Sequence, residues 1–226
     1  MDIQLSNIHK SFDDHGSRRV IFDDLSITFP PGEISVIVGK SGVGKSSLLN
    51  LISGIDTPDA GTITLGGQEI TGLRDGPRTR FRRKHMGFVF QFFHLIPVLT
   101  VLENAMLIGQ LDGQSNGKTR EKAMELLYHV GLSGREKAFP DTLSGGEQQR
   151  LAIVRSLVHD PPIILADEPT GNLDPATGTR ILDLLLNLVR RGGKTLVMVT
   201  HSREAMAYAQ GVFTVTQGKL IPRGHR

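Results

Sequence analysis

An eight-residue glycine-rich stretch, Gly39 to Ser46, constrains the fold of this chain more than any other feature. It reads Gly-Lys-Ser-Gly-Val-Gly-Lys-Ser and fits the pattern G-x-x-x-x-G-K-[ST]. The apolar run 34–38 before it predicts a buried strand, and residues 47–52 after it predict a helix. Glycines let such a loop wrap closely around a phosphate, because successive N–H groups and the helix N-terminus then point at the negative charge. The sequence therefore predicts a phosphate-binding loop rather than a simple glycine-rich turn.

Two side chains of this loop carry its chemistry. Lys45 is expected to reach the β- and γ-phosphates of a nucleotide, and the Ser46 hydroxyl is a hard oxygen ligand for Mg²⁺. The residues predicted to surround the phosphates are Gly39, Lys40, Ser41, Gly42, Val43, Gly44, Lys45, Ser46 and Ser47.

The composition is that of an ordinary globular protein and limits the possible partners. The 226 residues include 26 basic and 23 acidic side chains, a balance that does not indicate nucleic acid as a partner. The chain has no cysteine, which excludes disulfides and zinc–thiolate sites and suits a reducing compartment. The N-terminus does not resemble a secretory signal, and the longest apolar stretch, 86–102, is interrupted by polar residues. We therefore expect a chain that does not cross a membrane by itself.

The N-terminal part alternates in the manner of β-strands. Strands are predicted over 3–8, 25–29, 61–67 and 86–90, with a polar hairpin loop over 13–19. A basic segment, 73–84, is predicted to be partly helical. An antiparallel sheet at the N-terminal edge of the fold follows from this pattern.

The middle of the chain is predicted to be helical and the end returns to alternating strands and helices. Ala123, Leu126, Leu127 and Val130 have the spacing of one helix face. Helices are expected over 102–109, around these four residues, over 144–158 and over 176–191. Strands are expected over 163–166, 195–199, 212–216 and 219–221. We expect one α/β domain, 1–226, in which 1–91 and 156–226 form the core with its β subdomain and 92–155 forms an inserted helical lobe.

Two carboxylates stand at the end of a predicted buried strand. Asp167 and Glu168 follow the apolar run 163–166, and open parallel sheets bind ligands at the carboxyl ends of their strands. Asp167 is expected to hold Mg²⁺, directly or through water, and Glu168 to polarise the water that attacks a γ-phosphate. The alternative is a pair of solvated acids that end a strand.

A second glycine-containing stretch, 143–150, opens a predicted helix. Ser144 with Glu147 three residues later matches a capping box, which by itself explains the pair. Gly145 and Gly146 are unusual there, because each glycine costs up to about 1 kcal/mol of helix propensity. They are explained if the backbone must approach a ligand closely.

Along essentially its whole length the sequence resembles the ATP-binding subunit of ABC transporters. The features that stand in that family's order and spacing are the glycine-rich loop, Gln91, 143–147, 163–168, 172–174 and His201. The resemblance implies a P-loop NTPase core of RecA-like type with an N-terminal antiparallel β subdomain and an inserted α-helical subdomain. It also implies an ATPase that binds ATP and Mg²⁺.

The resemblance assigns further roles to individual residues. Gln91, otherwise a polar strand end, would contact Mg²⁺ or the attacking water, and His201 would contact the γ-phosphate. Phe12 would stack on adenine, with Val20 beside the ring; as an alternative, Phe12 is a core residue of a sheet face. In the family two chains form a head-to-tail homodimer around ATP. The residues implied at that interface are Ser144, Gly145, Gly146 and Asp174, with Ser144 and Gly146 touching the γ-phosphate held by the other chain.

The segments 90–97, 99–104 and 166–174 are similar to the subgroup that serves macrolide export, lipoprotein release and peptide-antibiotic resistance. The resemblance implies an integral membrane permease on separate chains, no nucleic acid partner, and a cytoplasmic location on the inner face of the membrane. The residues implied to line the groove for the partner's coupling helix are Phe92, Phe93, Leu95 and Ile96; core residues of the helical lobe are the alternative.

The sequence leaves two alternative functions to weigh against an ATPase subunit of a transporter. A regulatory ABC ATPase of the cell-division type would gate a cell-wall enzyme through a membrane partner. A soluble ABC ATPase of DNA repair or translation would need long heptad arms, zinc-binding cysteines or two tandem cassettes, which this sequence lacks.

Overall fold

The computed structural model describes residues 1–14 and 17–223. Positions 15–16, at the tip of the predicted polar loop, lie outside the described residues. The strands are β1 (Ile3–Asp14), β2 (Ser17–Phe29), β3 (Ile34–Val38), β4 (Ala60–Leu65), β5 (Gln68–Glu69), β6 (Met86–Phe90), β7 (Ile163–Asp167), β8 (Thr195–Val199), β9 (Gly211–Thr216) and β10 (Lys219–Pro222). The helices are α1 (Lys45–Ile52), α2 (Asp75–His85), α3 (Val101–Leu111), α4 (Asn116–His129), α5 (Gly145–Leu157), α6 (Pro175–Arg191) and α7 (Arg203–Tyr208), with a 3₁₀ turn at Pro140–Thr142.

The first sheet is antiparallel, in the order β2-β1-β4-β5, as the alternating N-terminal pattern predicts. Its first two strands are longer than predicted, because β1 and β2 pair from Ile3↔Phe29 to Asp14↔Ser17. Most of the predicted loop 13–19 is therefore strand. Backbone pairing does not depend on apolar side chains, so a polar ladder can extend beyond the core.

The second sheet is parallel except at one edge, in the order β10-β9-β3-β8-β7-β6. Its central strands β3, β7 and β8 are fully or almost fully buried, as their continuous apolar runs predict. Because β3, β6, β7 and β8 run in the same direction, their carboxyl ends lie at one edge of the sheet. The residues that follow these four strands are thereby brought to the same place.

Three helices, α3 to α5, lie between β6 and β7 in the sequence. The predicted face of α4 is confirmed, since Ala123, Leu126, Leu127 and Val130 are at most 5% exposed. These residues belong to the same apolar cluster as Val36 and buried residues of β7 and β8, so the helices share the core of the parallel sheet. No helix within 1–14 and 17–223 is long and apolar enough to cross a membrane.

Candidate functional site

Four loops at the carboxyl edge of the parallel sheet surround an open cavity of about 790 Å³. The glycine-rich loop follows β3, Gln91 follows β6, Glu168 follows β7, and His201 lies two residues beyond β8. The lining includes Phe12, Asp13, Arg19, Ile21, Ser41, Gly42, Gly44, Lys45, Ser46, Ser47, Gln91, Asp167, Glu168, Gly171 and His201. Residues separated by more than 150 positions in the sequence therefore form one site.

The glycine-rich loop has the backbone that its sequence predicts. Gly44 precedes α1 with φ 104, and a Cβ there would lie 2.4 Å from the Ile21 side chain, so only glycine fits. Lys45 is buried, and its Nζ donates to the carbonyl oxygens of Gly39 at 2.8 Å and Lys40 at 3.0 Å. Gly39 and Lys40 themselves border a second, larger cavity, and Val43 packs on the core. The loop thus presents its ammonium group beside a helix N-terminus.

Glu168 and His201 form a pair at the rim of this cavity. His201 Nε2 lies 3.3 Å from Glu168 Oε1, and the Glu168 side chain is 21% exposed. The Glu168 backbone has φ 45, in the left-handed region, and its N–H donates to the Val199 carbonyl oxygen at 2.9 Å. Left-handed backbone is uncommon for a residue other than glycine, and Glu168 adopts it where it lines the same cavity as the glycine-rich loop.

Gln91 is held by the loop that follows Glu168. Its Nε2 donates to Asn172 Oδ1 at 3.0 Å, and Asn172 Nδ2 donates to the Gln91 carbonyl oxygen at 3.1 Å. A Cβ on Gly171 would lie 2.9 Å from Gln91 Nε2, so glycine leaves the space that this side chain occupies. Sequence reasoning did not single out this role of Asn172, although Asn172 was part of the family pattern.

The three residues predicted to hold Mg²⁺ line the same cavity. They are Ser46, Gln91 and Asp167, whose side chains carry a hydroxyl, an amide and a carboxylate oxygen. Within the described ranges, no hydrogen bond joins the Ser46 hydroxyl or the Asp167 carboxylate to another residue. Hard oxygen donors suit Mg²⁺, which binds through one or two protein groups, phosphate oxygens and waters. The residues present therefore fit the ion.

On the side of the cavity predicted to receive the base, the lining includes residues that the sequence does not single out. Phe12 is 42% exposed and lines the cavity, as expected for a ring that receives a base. Val20 is 58% exposed and is not part of the lining, whereas Arg19 and Ile21 are. Successive side chains of a strand point to opposite faces of the sheet, so Arg19 and Ile21 lie on one face and Val20 lies on the other. Strand alternation is the signal that would have identified Arg19 and Ile21.

The stretch 143–150 borders a different cavity, of about 500 Å³. Ser144, Gly145, Gly146 and Asp174 lie in its lining together, and none of them lines the cavity of the glycine-rich loop. Arg150 and Arg180 also line it and were not anticipated. The structure therefore separates the predicted site residues of one chain into two groups.

Helix capping and packing also explain the residue types around Ser144, independently of any ligand. Ser144 and Glu147 form the predicted capping box, with the Ser144 N–H donating to Glu147 Oε2 at 2.9 Å. This bond is the main reason that the pKa of Glu147 is lowered. Gly146 is required by packing, because a Cβ there would lie 2.8 Å from Thr177 of α6. Asp174 in turn caps α6 by accepting from the Thr177 N–H at 3.0 Å.

An apolar groove of about 390 Å³ lies between α2, β6 and the end of α3. Phe88, Phe90, Ile108 and Leu111 line it, with Arg82, Arg83 and His159 as polar members. The predicted groove residues Phe92, Phe93, Leu95 and Ile96 lie outside this lining. Phe92 is 65% exposed, Leu95 packs on the core, and Arg155 anchors the segment through the carbonyl oxygens of Phe93 and His94.

Comparison with known proteins identifies the family. The family described as ABC transporter matches residues 22–171. An uncharacterised ABC transporter ATP-binding protein of Mycobacterium tuberculosis is 51% identical over 99% of this chain and 90% of its own length. The lipoprotein-releasing system ATP-binding protein LolD of Xanthomonas campestris is 42% identical over 96% of this chain and 91% of its own. The dimeric, post-hydrolysis structure of the ATP-binding cassette MJ0796 bound to ADP and Pi superimposes with a TM-score of 0.89, at 36% identity and 99% coverage of both chains. This chain belongs to the ABC transporter family, as one of its ATP-hydrolysing, ATP-binding subunits.

Proposed function

We propose that two copies of this chain clamp ATP between them and that hydrolysis drives a separate transmembrane partner. One observation carries the proposal. The glycine-rich loop with Glu168 and His201 borders one cavity, while Ser144 to Gly146 and Asp174 border another. A single chain therefore presents two half-sites, and a head-to-tail pair would join each half with its complement. The dimeric cassette MJ0796 supports this arrangement.

Within each joined site the residues of this chain would have distinct tasks. Lys45 and the backbone N–H groups of its loop would hold the phosphates, and Phe12 would receive the adenine ring. Mg²⁺, held by Ser46, Asp167 and Gln91, would neutralise charge on the phosphate oxygens. Glu168 would accept a hydrogen bond from the attacking water, and His201, 3.3 Å away, would orient that carboxylate.

Size-exclusion chromatography with light scattering tests the shared site. The Glu168→Gln variant should bind ATP and accumulate as a dimer, because the water loses its base while the phosphate cradle remains. Adding Ser144→Arg should leave the affinity for a fluorescent ATP analogue within about twofold, because the two sites are separate in the chain. The double variant should stay monomeric.

Ser115 provides the matched control, since it caps α4 as Ser144 caps α5 and borders neither cavity. Ser115→Arg in the Glu168→Gln background should still form the ATP-dependent dimer. Loss of ATP binding by the Ser144→Arg chain would contradict a site completed by a second copy.

The partner is proposed to dock in the apolar groove beside α2. The apolar lining consists of Phe88, Phe90, Ile108 and Leu111, and Arg82 and Arg83 lie beside it. An amphipathic helix fits this groove, with its apolar face on the apolar lining and acidic side chains near the arginines. The chain would then lie on the inner face of the membrane. Because LolD serves lipoprotein release, this relative favours lipoprotein release or a related export or force-transmitting process over other ABC functions.

Copurification from detergent-solubilised membranes tests the partner. Leu111→Asp places a charge in the groove and should release the integral membrane protein, whereas Tyr128→Asp on α4, 72% exposed and outside the groove, should retain it. Recovery of ribosomes or DNA without a membrane protein would contradict the proposal.

A further inference from the structure

The Arg19 side chain joins the base-binding strand to the glycine-rich loop. Its Nη2 donates to the Gly42 carbonyl oxygen at 2.6 Å. Arg19 is directly opposite Phe12 in the β1–β2 ladder, and both residues line the cavity of the glycine-rich loop. One guanidinium group therefore bridges the region proposed for the base and the region proposed for the phosphates.

We infer that Arg19 is a positioning residue for phosphate binding, an inference that rests on the proposed ATP site. The Gly42–Val43 peptide is trans, so the Val43 N–H points opposite to the Gly42 carbonyl. A donor that fixes the Gly42 carbonyl therefore also fixes the direction of the Val43 N–H, one of the backbone donors of the glycine-rich loop. Arg19 acts through this peptide plane and not through the nucleotide.

The backbone at Gly42 explains why such an anchor matters. Gly42 has φ 76, and glycine adopts positive and negative φ almost equally well. The peptide plane that follows it can rotate at little cost unless a neighbouring group holds it. A hydrogen bond from a charged donor is among the stronger ones available to a carbonyl oxygen. Arg19 thus reduces the ordering that phosphate binding would otherwise require.

Arg18 is a matched neighbour with a different environment. Its Nε donates to Ser11 Oγ at 2.9 Å, and its Nη2 lies 3.7 Å from Asp59. Arg18 is absent from the lining of the cavity. Replacing it removes the same charge one residue away without releasing the Gly42 carbonyl.

The experiment compares Arg19→Met, Arg18→Met and Phe12→Ala in the full chain. A fluorescent ATP analogue is titrated into each, and both ATP and inorganic tripolyphosphate are used as competitors. Arg19→Met should weaken both competitors by the same factor, about three- to tenfold, as expected for one charge-assisted hydrogen bond at an exposed site. Phe12→Ala should weaken ATP alone, and Arg18→Met should weaken neither.

Steady-state kinetics separates positioning from loss of folded protein. Arg19→Met should raise KM for ATP and keep kcat, whereas partial unfolding would lower kcat and leave KM unchanged. Unchanged tripolyphosphate binding by Arg19→Met, or an equal loss in Arg18→Met, would overturn the inference while leaving the ATP site intact. Failure of the parent chain to bind ATP at all would instead contradict the proposed function.

Discussion

The Gln149 side chain, fully buried in α5, donates a hydrogen bond from Nε2 to the Pro169 carbonyl oxygen at 2.7 Å. The same nitrogen lies 3.3 Å from the carbonyl oxygen of Phe90. Phe90 immediately precedes Gln91, and Pro169 immediately follows Glu168. One amide group thus ties the helix that Ser144 begins to the two loops that carry Gln91 and Glu168.

Replacing Gln149 by leucine should therefore reduce both stability and turnover. The two carbonyl oxygens lose a buried donor, which should lower the free energy of unfolding by about 1–3 kcal/mol. The shifted loops should lower kcat severalfold while ATP binding is kept. Urea unfolding and steady-state ATPase assays measure the two effects.

Gln114 is a suitable control for this variant, because its Nε2 also donates to a carbonyl oxygen, that of His159 at 3.3 Å. Gln114→Leu should change stability without lowering kcat. A Gln149→Leu enzyme with normal kcat would contradict the coupling.

Glu168→Gln should abolish most of the hydrolysis without weakening ATP binding. The amide keeps the size of the side chain but no longer acts as a base, and removing such a group costs roughly 10²–10⁴-fold in rate. Phosphate release under saturating ATP and Mg²⁺ measures the loss. Glu125→Gln, at an exposed position of α4, should hydrolyse normally. A normal rate in Glu168→Gln would assign the base elsewhere.

Lys10→Met should destabilise the chain. The Lys10 side chain is 9% exposed, and its Nζ lies 2.8 Å from both Asp56 Oδ1 and the Thr57 carbonyl oxygen. Methionine removes the ammonium donor from both acceptors and leaves Asp56 Oδ1 with only the Thr57 N–H, so the free energy of unfolding should fall by about 2–4 kcal/mol. Denaturant titration provides the measurement.

The exposed pair of Lys122 with Glu125, 3.0 Å apart, provides the comparison. Lys122→Met should change the free energy of unfolding by no more than about 0.5 kcal/mol, because water screens an exposed pair. Equal losses in the two lysine variants would show that burial of Lys10 does not matter.

Stability should fall as the pH is lowered through the ordinary pKa of histidine, partly because of His159. Burial lowers the pKa of His159, which is 5% exposed and whose Nε2 lies 3.0 Å from the Met86 carbonyl oxygen. Below about pH 6.5 the unfolded chain binds a proton at this residue that the folded chain does not, so the free energy of unfolding decreases as pH falls. Above that pH His159 is neutral in both the folded and the unfolded chain, so it no longer lowers the free energy of unfolding.

Urea unfolding at pH 7.5, 6.5 and 5.5 tests this sign. The free-energy difference between the parent and His159→Gln should shrink toward low pH, since glutamine does not titrate. Parallel curves for the parent and His159→Gln would exclude His159 as a source of the pH dependence.

Local sequence patterns were sufficient for the elements and for the chemistry of the glycine-rich loop. The loop and α1 follow from close-range requirements, namely apolar periodicity, glycine at positive φ and a lysine at the helix start. The capping box of Ser144 and the buried face of α4 are also local properties, and the structure has both. Strands β1 and β2 are longer than the sequence predicts, because their outer parts are polar and lack the apolar alternation that indicates a strand.

What the sequence determined by itself is which residues bear the chemistry, because residue types and short spacings specify a phosphate loop, two strand-end carboxylates and a helix cap. Only the tertiary structure decided which of them meet. The parallel order of β3, β8, β7 and β6 brings Lys45, Glu168 and His201 to one cavity, while the packing of α5 on α6 directs Ser144 and Asp174 to another. Likewise Arg19, and not Val20, faces the site, because the pairing of β2 with β1 sets the face on which each side chain lies.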